Sequence, residues 1–221
     1  MENADELGAG TACARALDTP VQIALDGPVT DEMAIGCREA LQQARDANQK
    51  SLLVTIASDG GSVYACLAIM DMLRGWSNER PEHELITFAT HAFSAAVNIF
   101  ALGDRRIASP LATFMDHNVS GGCEGDMRSM RQNIAEIERV NGILDSELIR
   151  VIGVDSTQEL CDQGDTYVDA KRAKELGLAT QIGHIHISVD VRVDVREDDD
   201  YDDPPPRRAA SKRRKLSLRA S

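Results

Sequence analysis

Short apolar runs alternate along this chain with longer stretches in which apolar residues recur every three or four positions, and the alternation repeats. Residues 21–25 (VQIAL) and 51–58 (SLLVTIAS) read as buried strands, each ended by turn residues, DGP and DGGS. Between them, Met33, Ile35, Ala40, Leu41 and Ala44 fall at helical spacing. The helix start is set at Thr30-Asp31-Glu32, with acids in its first turn. Residues 63–76 predict a second helix whose inner stripe is Ala65, Ile69, Met72 and Leu73. A strand over 84–90 (ELITFAT) and a helix over 94–102, ended by Gly103, repeat the unit. RRIAS and LATFMD, on either side of Pro110, predict two short strands. A loop at 121–125 then leads into a long polar-faced helix over 126–152. A connection through 157–161 reaches Asp165-Thr166-Tyr167, and Asp169 caps a helix through Leu176 that Gly177 ends. Strand and helix in series imply an α/β class with a parallel core and right-handed crossovers. The strict alternation of HIHISVDVRVDV (184–195) predicts one further strand with a wet face.

Composition divides the 221 residues into parts. A poorly ordered N-terminal segment is expected over 1–19, a single domain over 20–195, and a disordered tail over 196–221. The tail runs from acidic to basic, with a KRRK cluster at 212–215 that reads as a solvated charge run. It holds 8 of the 24 basic and 6 of the 36 acidic residues, so residues 1–195 carry a formal −14. That charge argues against nucleic acid and against an anionic membrane surface as partners. No apolar run is long enough to span a bilayer, and the acidic start lacks the pattern of a signal peptide. A cytoplasmic location is the expectation. Five scattered cysteines, Cys13, Cys37, Cys66, Cys123 and Cys161, fit thiols in a reducing compartment better than a disulfide framework or zinc site. His184 and His186 share a strand face without a third ligand, so no metal and no cofactor is expected.

Three features could carry chemistry. Gly60-Gly61 follows a buried strand directly and can turn the backbone so that amides point outward, as an oxyanion would require. The same pair also fits a plain strand-to-helix turn. Ser94 opens an apolar helix after a strand, where it reads either as an N-cap or as a nucleophile. His117 closes a short apolar strand and gains meaning only if a hydroxyl and a carboxylate converge on it. The G-x-S-x-G elbow is absent.

Taken in order, IASDGGSVYACLAIMDMLR, HAFSAAVNIFALGDRR, FMDHNVSGGCEGD and DTYVDAKRAKELGLATQI resemble the ClpP family over about residues 21–182. The resemblance implies the ClpP/crotonase-like fold of repeated β-β-α units, with the long helix as a protruding handle. It implies a serine endopeptidase working through an acyl-enzyme. Ser94 would be the nucleophile, His117 the general base, Asp165 the orienting carboxylate, and the amides of Gly61 and Ala95 the oxyanion hole. Polypeptide substrates, heptameric homo-oligomeric rings and an AAA+ unfoldase are the partners it brings. The S-A-A and H-N wording is shared with phage-type head-maturation relatives, and a non-catalytic ring subunit would keep the same fold. A crotonase-type acyl-CoA enzyme would not need serine, histidine and aspartate in this order. Four positions depart from the family pattern: Asp59 for proline, Thr90 for glycine, Phe93 for a small residue, and Asp116 for an aliphatic. Phe93 is expected to narrow the substrate pocket, and Asp116 to compete for His117 if it faces the site.

Overall fold

The structure, a computed structural model, describes residues 21–161, 166–187 and 193–197. Asp165, Cys13, the segment 1–19 and the tail beyond Glu197 with its KRRK run lie outside the described residues. Four strand–helix steps open the fold. They are β1 (Gln22–Asp26), α1 (Asp31–Asp46), β2 (Ser51–Ser58), α2 (Val63–Glu79), β3 (Glu84–Phe93), α3 (Ala95–Ala101), β4 (Arg105–Asp116) and α4 (Met127–Ile152). Then come α5 (Val154–Cys161), β5 (Thr166–Asp169), α6 (Ala170–Glu175), β6 (Gln181–Ile187) and β7 (Val193–Glu197). One sheet holds the strands in the order β1-β2-β3-β4-β6-β7. The first four run parallel, and β5 is antiparallel on β4.

Side-chain alternation along the strands sorts residues to the two faces of this sheet. Leu52, Val54 and Ile56 of β2 join Leu41, Ile69, Leu73, Trp76 and Phe100 from the helices in the main core. Leu53 points the other way and packs with Ile86 and Ile107 in a small second cluster. Polar caps start the helices where the sequence offers them. The Thr30 hydroxyl accepts from the Met33 amide, Ser62 from Ala65, Asp126 from Ser129 and Asp169 from Arg172. Each satisfies an amide that has no partner within its own helix.

Several elements differ from the sequence expectation. Residues 154–161 form a helix rather than a connection, because Leu160 is fully buried and Thr157 Oγ1 donates to the Gly153 carbonyl at 2.8 Å. The two strands predicted around Pro110 are one element. Its ladder to β3 covers Arg105–Ala108 and resumes at Thr113, and Pro110, with no N–H to give, sits in the unladdered stretch between. The single strand expected over 184–195 is a hairpin of β6 and β7 in antiparallel register. β5 has only four residues and exists through its pairing with β4. A bulge at the exposed Thr90, where Ala89 pairs with Ile56 but His91 with Ala57, bends the end of β3 toward Ser94.

Candidate active site

The carboxyl ends of β2, β3 and β4 converge, and three successive links are joined there: Gly60-Gly61, Ser94 and His117. Ser94 connects β3 to α3 with φ 53° and ψ −128°, a left-handed backbone rare for a residue with a side chain. Holding it costs on the order of 1–3 kcal/mol, so the surroundings must impose it. They do so through the main chain. The Ser94 amide donates to the Met115 carbonyl at 2.6 Å, and Gly60 lies against the bend. A Cβ at Gly60 would stand 2.6 Å from the Phe93 carbonyl oxygen and 2.8 Å from Ser94 Cβ.

That bend directs the hydroxyl away from a capping role. Ser94 occupies the N-cap position of α3 but makes no side-chain cap bond. Its Oγ lies 2.8 Å from Nε2 of the half-buried His117 instead, bringing together two residues 23 positions apart. Gly61 completes the rim from the other side. Val29 bonds to the Gly60 carbonyl and to the Ser62 amide, a parallel bridge that turns Gly61's own peptide groups away from Val29. A Cβ on Gly61 would lie 2.5 Å from the Val29 carbonyl oxygen, so only glycine admits this approach. Gly61, Ser94, Ala95 and His117 all line one small cleft of about 50 Å³.

The opposite wall comes from α4. Asn141 accepts from the Val119 amide at 2.8 Å and donates to Asp145 at 2.8 Å and to Asn118 at 3.3 Å. It thereby ties down the segment that follows His117. Asn98, Asp116, Leu144 and Asp145 are among the other lining residues. Burial raises the Asp145 carboxyl above its ordinary range. Behind the nucleophile, Cys66 Sγ donates to the Ala95 carbonyl at 3.2 Å. Burial, and then the Asp116 charge, push its thiol up to about 12.

Of the five site residues expected from sequence, Ser94, Ala95, His117 and Gly61 meet here, and Asp165 lies outside the described residues. The departures sort differently. Asp116 is among the residues that line the cleft, buried at 4% exposure, and its charge reaches Cys66. The Phe93 ring does not narrow it, because it packs edge-on to Tyr167 at 5.6 Å and beside His91 at 5.4 Å. Asp59 is exposed and stands 3.6 Å from His91 Nε2. Asn98, Asn141 and Asp145 were missed. A polar residue inside the apolar run SAAVNIFAL, and two polar residues four apart on the long helix, were the signals that could have found them.

A family model described as Clp protease matches residues 9–186. Over 137 residues the chain is 29% identical to the ATP-dependent Clp protease proteolytic subunit 2 of Corynebacterium jeikeium (strain K411). The matched region is 60% of this chain and 64% of that relative, so it spans less than two thirds of the relative's length.

Proposed function

Since the chain belongs to the Clp protease family, we propose that it is a serine-type endopeptidase that cleaves polypeptides through an acyl-enzyme at Ser94. The observation that carries this reading is the 2.8 Å approach of Ser94 Oγ to His117 Nε2, made by a serine held in a strained bend rather than used as a cap. His117 accepts the hydroxyl proton as Oγ adds to the scissile carbonyl, then returns it to the leaving amine. A water activated by the same imidazole releases the acyl group. The carbonyl oxygen becomes an oxyanion between the amides of Gly61 and Ala95, both of which border the cleft.

Asp165 is assigned as the carboxylate that orients the imidazole. The register of β4 and β5 supports this choice. The ladder pairs Asp116, the residue before His117, with Thr166, the first residue of β5.

Ring assembly of copies of this chain is part of the same proposal. The 26 residues of α4 extend about 39 Å. Its buried side chains, Val140, Leu144 and Leu148, all lie in the C-terminal half, while Met127 and Ile134 stay exposed at 66% and 49%. The N-terminal half, with these exposed apolar side chains, is the arm by which copies would meet. A fluorophosphonate should label the native protein and leave Ser94→Ala unlabelled, with peptide turnover falling on the order of 10⁴-fold or more. Absence of labelling would favour a non-catalytic ring subunit. Negative-stain images should show sevenfold rings, and a clean monomer at micromolar concentration would sink the assembly.

A further inference from the structure

Leu52, Val54 and Ile56 of β2 belong to the main core, and alternation along the strand sends Ser58 to the same face. Ser58 is 1% exposed, a hydroxyl where the pattern calls for an apolar side chain. Burying a hydroxyl is costly unless it is hydrogen-bonded. Here Oγ accepts the N–H of Gly60 at 3.1 Å, across the turn at Asp59. The other main-chain groups around Gly60 also have fixed partners. The Gly60 carbonyl accepts from the Val29 amide at 2.8 Å, and the Ser62 amide donates to the Val29 carbonyl at 2.9 Å. The N–H of Gly61 has no partner among the described residues, and Gly61 is exposed where Gly60 is buried. Of the two adjacent glycine amides, one is therefore tied down and the other left open to the cleft.

We propose that Ser58 is a positioning residue for the oxyanion hole, and that its hydroxyl, by holding the Gly60 amide, aims the Gly61 amide at the reacting carbonyl oxygen. The inference rests on the hydrolase reading above and deepens it. A peptide unit is planar, so the Gly60 carbonyl and the Gly61 N–H move as one body. Val29 holds that plane, and Ser58 holds the plane before it, which carries the Gly60 N–H. Gly60 is the hinge between the two planes, at φ +89°, and as glycine it has no side chain to restrict its torsions. The hydrogen bonds on either side of the hinge set its angle, and that angle sets the direction of the Gly61 N–H. An oxyanion donor works only if it is in place before charge develops on the oxygen. Without the Ser58 acceptor, the Gly60 amide turns toward another partner and takes the Gly61 amide out of line. The charge it would meet exists in the transition state and not in the bound substrate. The loss therefore falls on kcat rather than on KM.

The test uses the full-length protein in its native assembly, a fluorogenic tripeptide amide that it cleaves, and a peptide boronic acid. The tetrahedral adduct of the boronic acid with Ser94 sets an oxygen in the hole, whereas the bound amide does not yet carry the charge. Ser58→Ala should lower kcat on the order of 10- to 100-fold and leave KM within about twofold of native. Affinity for the boronic acid should fall by about the same factor as kcat. The thermal midpoint should drop by no more than about 8 °C. Ser58→Thr, which keeps the acceptor oxygen, should recover most of the rate. Native kcat and native boronate affinity in Ser58→Ala, or a loss confined to KM, overturn the role of Ser58 and leave the hydrolase standing. A Ser58→Ala protein that does not fold overturns it as well, since the hydroxyl would then serve the fold alone. No fluorophosphonate labelling of Ser94 and no cleavage by the native protein removes both readings.

Discussion

The two walls of the cleft are built by opposite means. On the Ser94 wall the positions are set by main chain: the Met115 carbonyl holds the Ser94 amide, Val29 brackets Gly61, and Gly60 leaves no room for a single added carbon. On the α4 wall they are set by side chains, with Asn141 holding the loop after His117 and Asp145 beside it. The main-chain contacts at Gly60 and Gly61 admit no added carbon, so the first wall fixes where the chemistry happens. Side chains can be exchanged one at a time, so the second wall is where selectivity can drift without loss of the nucleophile.

The sharpest way to break this contrast is to add one methyl group to the first wall. Gly60→Ala places a carbon 2.6 Å from a backbone oxygen at a residue with φ +89°. The left-handed backbone and the forced shift together cost on the order of 3 kcal/mol. Turnover should fall about 100-fold, since ångström-scale displacement of a nucleophile is that costly. Denaturant midpoint and kcat would both record it. A variant of native stability and native rate would mean that the bend at Ser94 is not over-determined. Asn141→Ala should act more gently on the second wall. It frees the Val119 amide and the Asp145 carboxyl, costing about 1–2 kcal/mol of stability. Turnover should fall roughly tenfold as the His117 segment loosens, and Asn141→Asp, which can still accept from Val119, should recover part of it.

Much of the first wall could be read from sequence. Strand β2 ends where SLLVTIAS meets DGGS, and the expected helix starts at Thr30 and Asp169 are capped. Local signals of this kind depend only on neighbouring residues. The polar lining of the cleft was hidden because its members are separated by long stretches of chain. Asn98, Asp116 and Asp145 come from α3, β4 and α4, and no periodicity announces that three polar side chains will share one cleft. Asp116 stood out only as a departure from a family pattern, and its burial at the end of β4 could not be read from that. The short strand β5 and the helix α5 escaped for the same reason: four residues held by a ladder, and a turn of chain held by buried Leu160, are formed by tertiary contact rather than by local preference.

The smallest expected effect compares the walls through their thiols. Cys66 packs directly behind the nucleophile at the Ala95 carbonyl, fully buried, with its thiol pushed up to about 12. Cys123 lies in the loop that leads to α4 and is partly exposed. Only the thiolate attacks an alkylating agent, so at pH 8 Cys66 should be inert in the native protein and Cys123 should react within minutes. Site-resolved mass spectrometry after iodoacetamide treatment separates the two from the other cysteines. Cys66 should become reactive only when denaturant opens the core. The raised thiol also sets a sign: the fold binds this proton more tightly than the unfolded chain does, so the contribution of Cys66 to stability is complete below about pH 9 and declines as pH rises toward 12. Rapid native labelling of Cys66 at pH 8 would show that the Ser94 wall opens locally. The contrast between a fixed wall and an adjustable one would then have to be abandoned.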